Sequence, residues 1–174
     1  MTDLTCGQGG STGQEIVNRI NKLSKLQPRG SMRTAPITVS IPSAGGSPVL
    51  VSPNFTEKVT EREGLAVDLA AGTITNNTGN GYSSAILTLG ITADFPNNET
   101  LHLFAYVNGS PYSANPMAVS GEGNKDGVNM FWQSEFSLAA GDVIDIRAIS
   151  SDATAFNVDI TRATFRLDVD NHEL

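Results

Sequence analysis

From residue 35 onward, apolar and polar residues alternate with a period of two, as in β-strands with one buried face. Residues 36–41 and 47–52 read as short strands or a hairpin around Ser43-Ala44-Gly45-Gly46. Leu65, Val67 and Leu69 then share a face. The segment 75–81, TNNTGNG, reads as a turn-rich loop. In the long run 82–95, Ala85, Leu87, Leu89, Ile91, Ala93 and Phe95 line one face, with Ser84, Thr88, Thr92 and Asp94 on the other. Leu101, Leu103, Ala105 and Val107 alternate with His102, Phe104 and Tyr106, and Asn108-Gly109 follows as a strong hairpin signal. Val128, Met130, Trp132, Phe136 and Leu138 share a face, a strand runs over 142–149, and Phe156, Val158 and Ile160 lead into Ala163, Phe165, Leu167 and Val169. About eight to ten strands with no helix between them predict an all-β antiparallel sandwich.

The period is helical only near the start. In residues 14–26, Ile16, Ile20 and Leu23 recur on one side, with Val17 and Leu26 beside them. Thr12 and Glu15 have the spacing of a capping box, and Lys22 and Lys25 sit where they complement the helix dipole. So short a helix does not stand alone in water, so its apolar stripe calls for a partner. Residues 1–13 are small, polar and glycine-rich and read as an arm. The expected organisation is therefore an arm and amphipathic anchor helix over 1–27, a linker over 28–35, and a β head over 36–174.

Several strands carry apolar residues on both faces. Ile86 opposes Leu87, Phe104 and Tyr106 oppose Leu103, Phe131 opposes Trp132, and Ile144 and Ile146 oppose Val143. A half-exposed strand normally keeps its outer face polar. A second apolar face points to a covering copy of the chain, and His102, Phe104, Tyr106, Phe131, Ile144 and Ile146 are the interface candidates.

Charge narrows the partners. A net charge of -7 over 174 residues is the opposite of a nucleic-acid footprint. No apolar run approaches the roughly 18 residues of a membrane span, and no signal-peptide pattern opens the chain. The lone Cys6 allows no internal disulfide and reads as a free thiol in the arm. The Asn-Xaa-Ser/Thr triplets at Asn54, Asn76, Asn98 and Asn108 read as turn composition rather than glycan acceptors.

Candidates for catalysis are sparse. The glycine run before the helix matches neither phosphate-loop pattern. His102 and His172 belong to no triad motif. Asp142, Asp145, Asp159, Asp168, Asp170, Glu57, Glu61 and Glu63 lack the spacing of a calcium loop and read as turn and edge residues. Asp142, in Ala139-Ala140-Gly141-Asp142, reads as a corner cap. Trp132, Tyr82, Tyr106 and Tyr112 could stack on sugars, although Trp132 follows its strand's apolar face. The polar loops TNNTGNG and SGEGNKDG are the better candidates for exposed recognition, through Asn76, Asn77, Asn80, Asn124 and Lys125. No enzyme and no cofactor is expected.

Four segments stand in order: GNGYSSAIL (79–87), FAYVNG (104–109), LAAGDVI (138–144) and RATFRLDV (162–169). Over residues 36–170 this order resembles the C1q/tumour-necrosis-factor-like jelly roll, which implies a ten-strand jelly roll that trimerises through one sheet. The chain lacks the collagen-like stalk of secreted C1q proteins. It looks more like the jelly-roll modules on the virions of tailed bacteriophages, and TGQEIVNRINKL (12–23) resembles the N-terminal anchors of phage fibre and decoration proteins. The resemblance implies a structural protein of the virion surface, a homotrimer docked on the major capsid protein or another virion protein. The alternative it leaves is a receptor-binding tail-fibre tip that recognises a bacterial surface glycan.

Overall fold

The computed structural model describes residues 28–51, 55–62, 64–95, 99–112, 117–120 and 125–169. The anchor residues Ile16, Val17, Ile20, Leu23 and Leu26, together with Cys6, Asn124 and His172, lie outside these residues. Among the described residues, thirteen strands run in the order β1 (Arg29–Thr34), β2 (Ile37–Ile41), β3 (Val49–Leu50), β4 (Glu57–Arg62), β5 (Leu65–Asp68), β6 (Thr73–Asn76), β7 (Tyr82–Phe95), β8 (Thr100–Val107), β9 (Ser110–Pro111), β10 (Met117–Ser120), β11 (Lys125–Leu138), β12 (Val143–Ser150) and β13 (Phe156–Val169). Two of them, β3 and β9, are only two residues long, which leaves eleven longer strands against the eight to ten that the alternation suggests.

The strands form two antiparallel sheets. The first has the order β11-β7-β13-β1-β4, with β2 also paired to β13. The second has the order β10-β8-β12-β6-β5, with β3 on β12 and β9 on β8. Each neighbouring pair in the second sheet runs antiparallel, as does each in the first.

The core lies between the sheets and follows the alternation closely. Leu87, Leu89, Leu103, Leu138, Phe165 and Leu167 are fully buried. Phe165 packs on Phe55 with ring centroids 6.2 Å apart. Trp132 is partly buried against the same cluster, on the face its strand pattern assigns.

The segment 28–35 corrects the sequence reading. It is not a linker: β1 occupies Arg29–Thr34 and sits between β13 and β4. Its sequence RGSMRT offers only Met32 as a large apolar side chain, and that residue is fully buried. Gly30 and Thr34 take the other inward positions. A Cβ on Gly30 would stand 2.7 Å from Cγ2 of Ile74 on the opposite sheet, so Ile74 packs into the space that a side chain would take. On the outer face Arg29 pairs with Asp168, and Arg33 with Glu57 at 2.6 Å. Strand β4, EKVTER, escapes the alternation reading for a similar reason: as an edge strand it carries mostly charged and polar side chains.

The placement of β1 is testable. A chain that starts at residue 28 should keep a cooperative thermal transition by circular dichroism, and one that starts at residue 36 should lose it. Equal transitions would show that residues 28–35 contribute nothing to the folded head.

Candidate functional site

Three surfaces collect the residues that the sequence singles out. The first is the corner where β6, the turn after β11, and the Asn108-Gly109 turn converge. Asn108 and Gly109 have φ of 52° and 77°, the left-handed pair of a tight two-residue hairpin. Asn108 Nδ2 donates to Asp142 Oδ1 at 2.7 Å, and Asn108 Oδ1 accepts from Val143 N at 2.9 Å. The other carboxylate oxygen of Asp142 accepts from Ala139 N at 2.7 Å. Asp142 thus closes its own turn and ties it to the neighbouring hairpin, the corner role its position suggests. Gly141, with φ of 84°, allows the chain to reverse there.

Asn76 sits behind this corner. It was expected in an exposed loop, yet it is fully buried. Its Nδ2 donates to the carbonyls of Asn80 at 2.9 Å and Ala139 at 2.8 Å. Its Oδ1 accepts from Thr78 Oγ1 at 2.7 Å. Its backbone exchanges hydrogen bonds with the 139–142 turn, donating to Asp142 O and accepting from Gly141 N. A polar residue in a turn-rich segment reads as surface until its partners are known. Here the partners are carbonyls of two loops, which makes Asn76 a hub rather than a contact. Asn76 is buried and donates both Nδ2 hydrogens to these carbonyls, so it is not a free glycan acceptor. Asn77 and Asn80 are exposed beside the hub, and Lys125 opens β11 opposite Phe95.

The second surface is the outer face of the β8–β12 pair. His102, Phe104 and Tyr106 point there, as their alternation predicts, and stand opposite Ile149, Arg147 and Asp145. The face is largely self-covered. Arg147 lies over the Tyr106 ring, 4.2 Å from its centroid, and donates to both oxygens of Asp145 at 2.9 and 3.0 Å. Asp145 is only 5% exposed. Its hydrogen bonds hold the Arg147 guanidinium more firmly protonated than usual. His102 packs edge-on to Phe104. Ile144 and Ile146 correct the sequence reading: both are fully buried in the core. The turn at 139–142 sets the phase of β12 so that Asp145 and Arg147 face out. They offer no surface to another chain.

The third surface is the outer face of β11, β7 and β13. Its residues stand in rows across the strands: Gln133, Thr88 and Arg166; Phe131, Gly90 and Thr164; then Asn129 and Thr92, followed by Arg162. Phe131 is 70% exposed. Beside it, the absent side chain of Gly90 leaves open space, with no atom within 4 Å of where a Cβ would stand. A shallow depression of about 220 Å³ extends from Gly90 between Thr92, Asn129, Arg162 and Thr164. The six interface candidates therefore separate. Phe131 lies on one sheet, His102, Phe104 and Tyr106 lie on the other, and two isoleucines are internal. Gly90 was not singled out by the sequence pattern, because a glycine inside a strand signals only a possible close approach.

No protein-family model matches the chain, and no curated protein matches it. Solved structures do. The globular domain of zebrafish complement 1qA protein aligns at 17% identity and a TM-score of 0.47, over 83% of this chain and 97% of that chain. Eiger TNF from S. frugiperda aligns at 10% identity and a TM-score of 0.50, over 83% of this chain and 94% of that one. The second match carries the assignment. The fold is a jelly roll of the C1q/TNF type. At such identity the likeness concerns fold alone, so function has to be argued from this chain's own surfaces.

Replacing Asn76 by Ala removes the donor to two carbonyls and should cost about 3 kcal/mol. Asn77→Ala, one residue on and exposed, should stay within about 0.5 kcal/mol of the parent. Urea denaturation of the two variants checks the contrast. Equal stabilities would remove Asn76 from its role as the hub.

Proposed function

We propose that this protein is a non-enzymatic structural component of a tailed-phage virion, a homotrimer whose jelly-roll head is displayed outward from a capsid. Residues 1–27 anchor it to the major capsid protein or another virion protein. The observation that carries the trimer is Phe131. A large aromatic ring stands 70% exposed on a mostly polar sheet face, and covering it with another copy removes that apolar surface from water. The hollow over Gly90 lies next to it. A knob and a hollow on one face complement each other between copies in a head-to-tail ring. The ring of one copy fills the hollow of the next.

The anchor rests on the sequence: the amphipathic stripe of Ile16, Val17, Ile20, Leu23 and Leu26 follows an arm of small residues, and such a segment orders on a partner surface. The three surfaces of the head present hydrogen-bonded corners, a stacked cation and a shallow hollow, an arrangement suited to contact rather than turnover.

Light scattering tests the assembly. Phe131→Glu should reduce the mass of the particle in solution to that of one chain while its circular dichroism stays unchanged. A variant that assembles like the parent would remove Phe131 from the interface. Co-sedimentation tests the location. The full chain should bind capsids of its phage, and a chain lacking residues 1–27 should not. Binding of the isolated head to host cells or polysaccharide, without capsid binding, would favour the tail-fibre alternative, with Asn77 and Asn80 among the exposed loop residues.

A further inference from the structure

The trimer face carries an unbalanced set of charges at one end. Asp159 of β13 stands directly opposite Asp94 of β7. Two like charges in cross-strand register repel. Each carboxylate is held by one oxygen: Asp94 Oδ1 accepts from Gly127 N, and Asp159 Oδ1 accepts from Thr38 Oγ1. The second oxygen of each stays available, and among the described residues neither group has a cationic partner.

A cation stands close by, also alone. β13 carries a bulge between Ile160 and Arg162. Thr161 Oγ1 occupies the carbonyl of Thr92 at 3.1 Å, and both Thr161 and Arg162 are exposed. The extra residue places Arg162 on the same outer face as Asp159, three positions away instead of two. Arg29, Arg33, Arg147 and Arg166 each have a carboxylate partner. Arg162, among the described residues, has none. It lines the hollow beside Gly90.

We infer that, in the trimer, Arg162 of each copy pairs with Asp94 and Asp159 of the next. The inference rests on the trimer reading above. Among the described residues, the face holds two carboxylates without a cationic partner and a long cation without a carboxylate partner, and they form no ion pair within one copy. A cyclic contact between such faces brings the two groups together at the rim of the Phe131 contact, and oppositely charged rims set register and suppress wrong docking. The bulge in β13 then has a use: it turns Arg162 to the outer face, where another copy can reach it.

Sedimentation equilibrium of the full chain over a concentration series tests this. Arg162→Glu should raise the concentration needed for half-assembly by about tenfold or more. Combining it with Asp94→Arg and Asp159→Arg should restore assembly. Parent assembly should also weaken as sodium chloride is raised. Arg162→Gln supplies a milder variant and should fall between the parent and Arg162→Glu. A trimeric parent whose Arg162→Glu and Arg162→Gln variants assemble equally well would overturn this pairing and leave the trimer standing. So would a charge-reversed triple variant that assembles no better than Arg162→Glu. A parent that stays monomeric throughout would overturn both the pairing and the trimer reading.

Discussion

Strand β13 is paired along both of its edges, and most of the architecture follows from that. It is fourteen residues long, and its inward positions run Phe156, Val158, Ile160, Ala163, Phe165, Leu167 and Val169. It lies inside its sheet, so both of its edges are hydrogen-bonded while its apolar face meets the opposite sheet. β7 covers one edge. β2 and β1 divide the other between them, at its beginning and its end. The bulge at Ile160–Arg162 falls where β2 gives way to β1 and restores the alternation after one extra residue. Without β1 the second half of β13 would have an open edge, which is why the modest hexapeptide Arg29–Thr34 belongs to the sheet.

How far this could be read in advance depended on where each residue's partners lie. The long strands were legible because burial imposes a period of two on every residue: Leu87, Leu103, Phe136 and Phe165 all lie where the alternation puts them. β1 was not legible, because its inward contribution is one methionine, one threonine and one glycine, which leave almost no apolar signal. Asn76 was misread for a different reason. Composition says that asparagine in a turn is exposed, while its burial is decided by the carbonyl of Ala139, sixty-three residues away. Ile144 and Ile146 show that two adjacent apolar phases cannot be ranked from sequence. The corner held by Asp142 chooses between them. Phe131 was named correctly as outward-facing, and Gly90 became meaningful only once the ladder placed it opposite that ring.

The two outer faces differ in how much of their own surface they satisfy. On the β8–β12 side Arg147 stacks on Tyr106 and binds Asp145, so aromatic and charged groups are already partnered. On the β7–β13 side the ion pairs of Arg29 and Arg166 with Asp168 end halfway along the sheet. Beyond them lie Phe131, the hollow over Gly90, and Arg162, Asp94 and Asp159, which have no ion-pair partner among the described residues. Exposed apolar and charged groups on the β7–β13 face, against a largely self-covered β8–β12 face, are what the proposed assembly rests on.

That asymmetry is the centre of the account, and the mass of the unmodified chain in solution tests it most directly. Sedimentation equilibrium at micromolar concentration should give a particle of three times 18.3 kDa. A mass of one chain across the whole concentration range would contradict it.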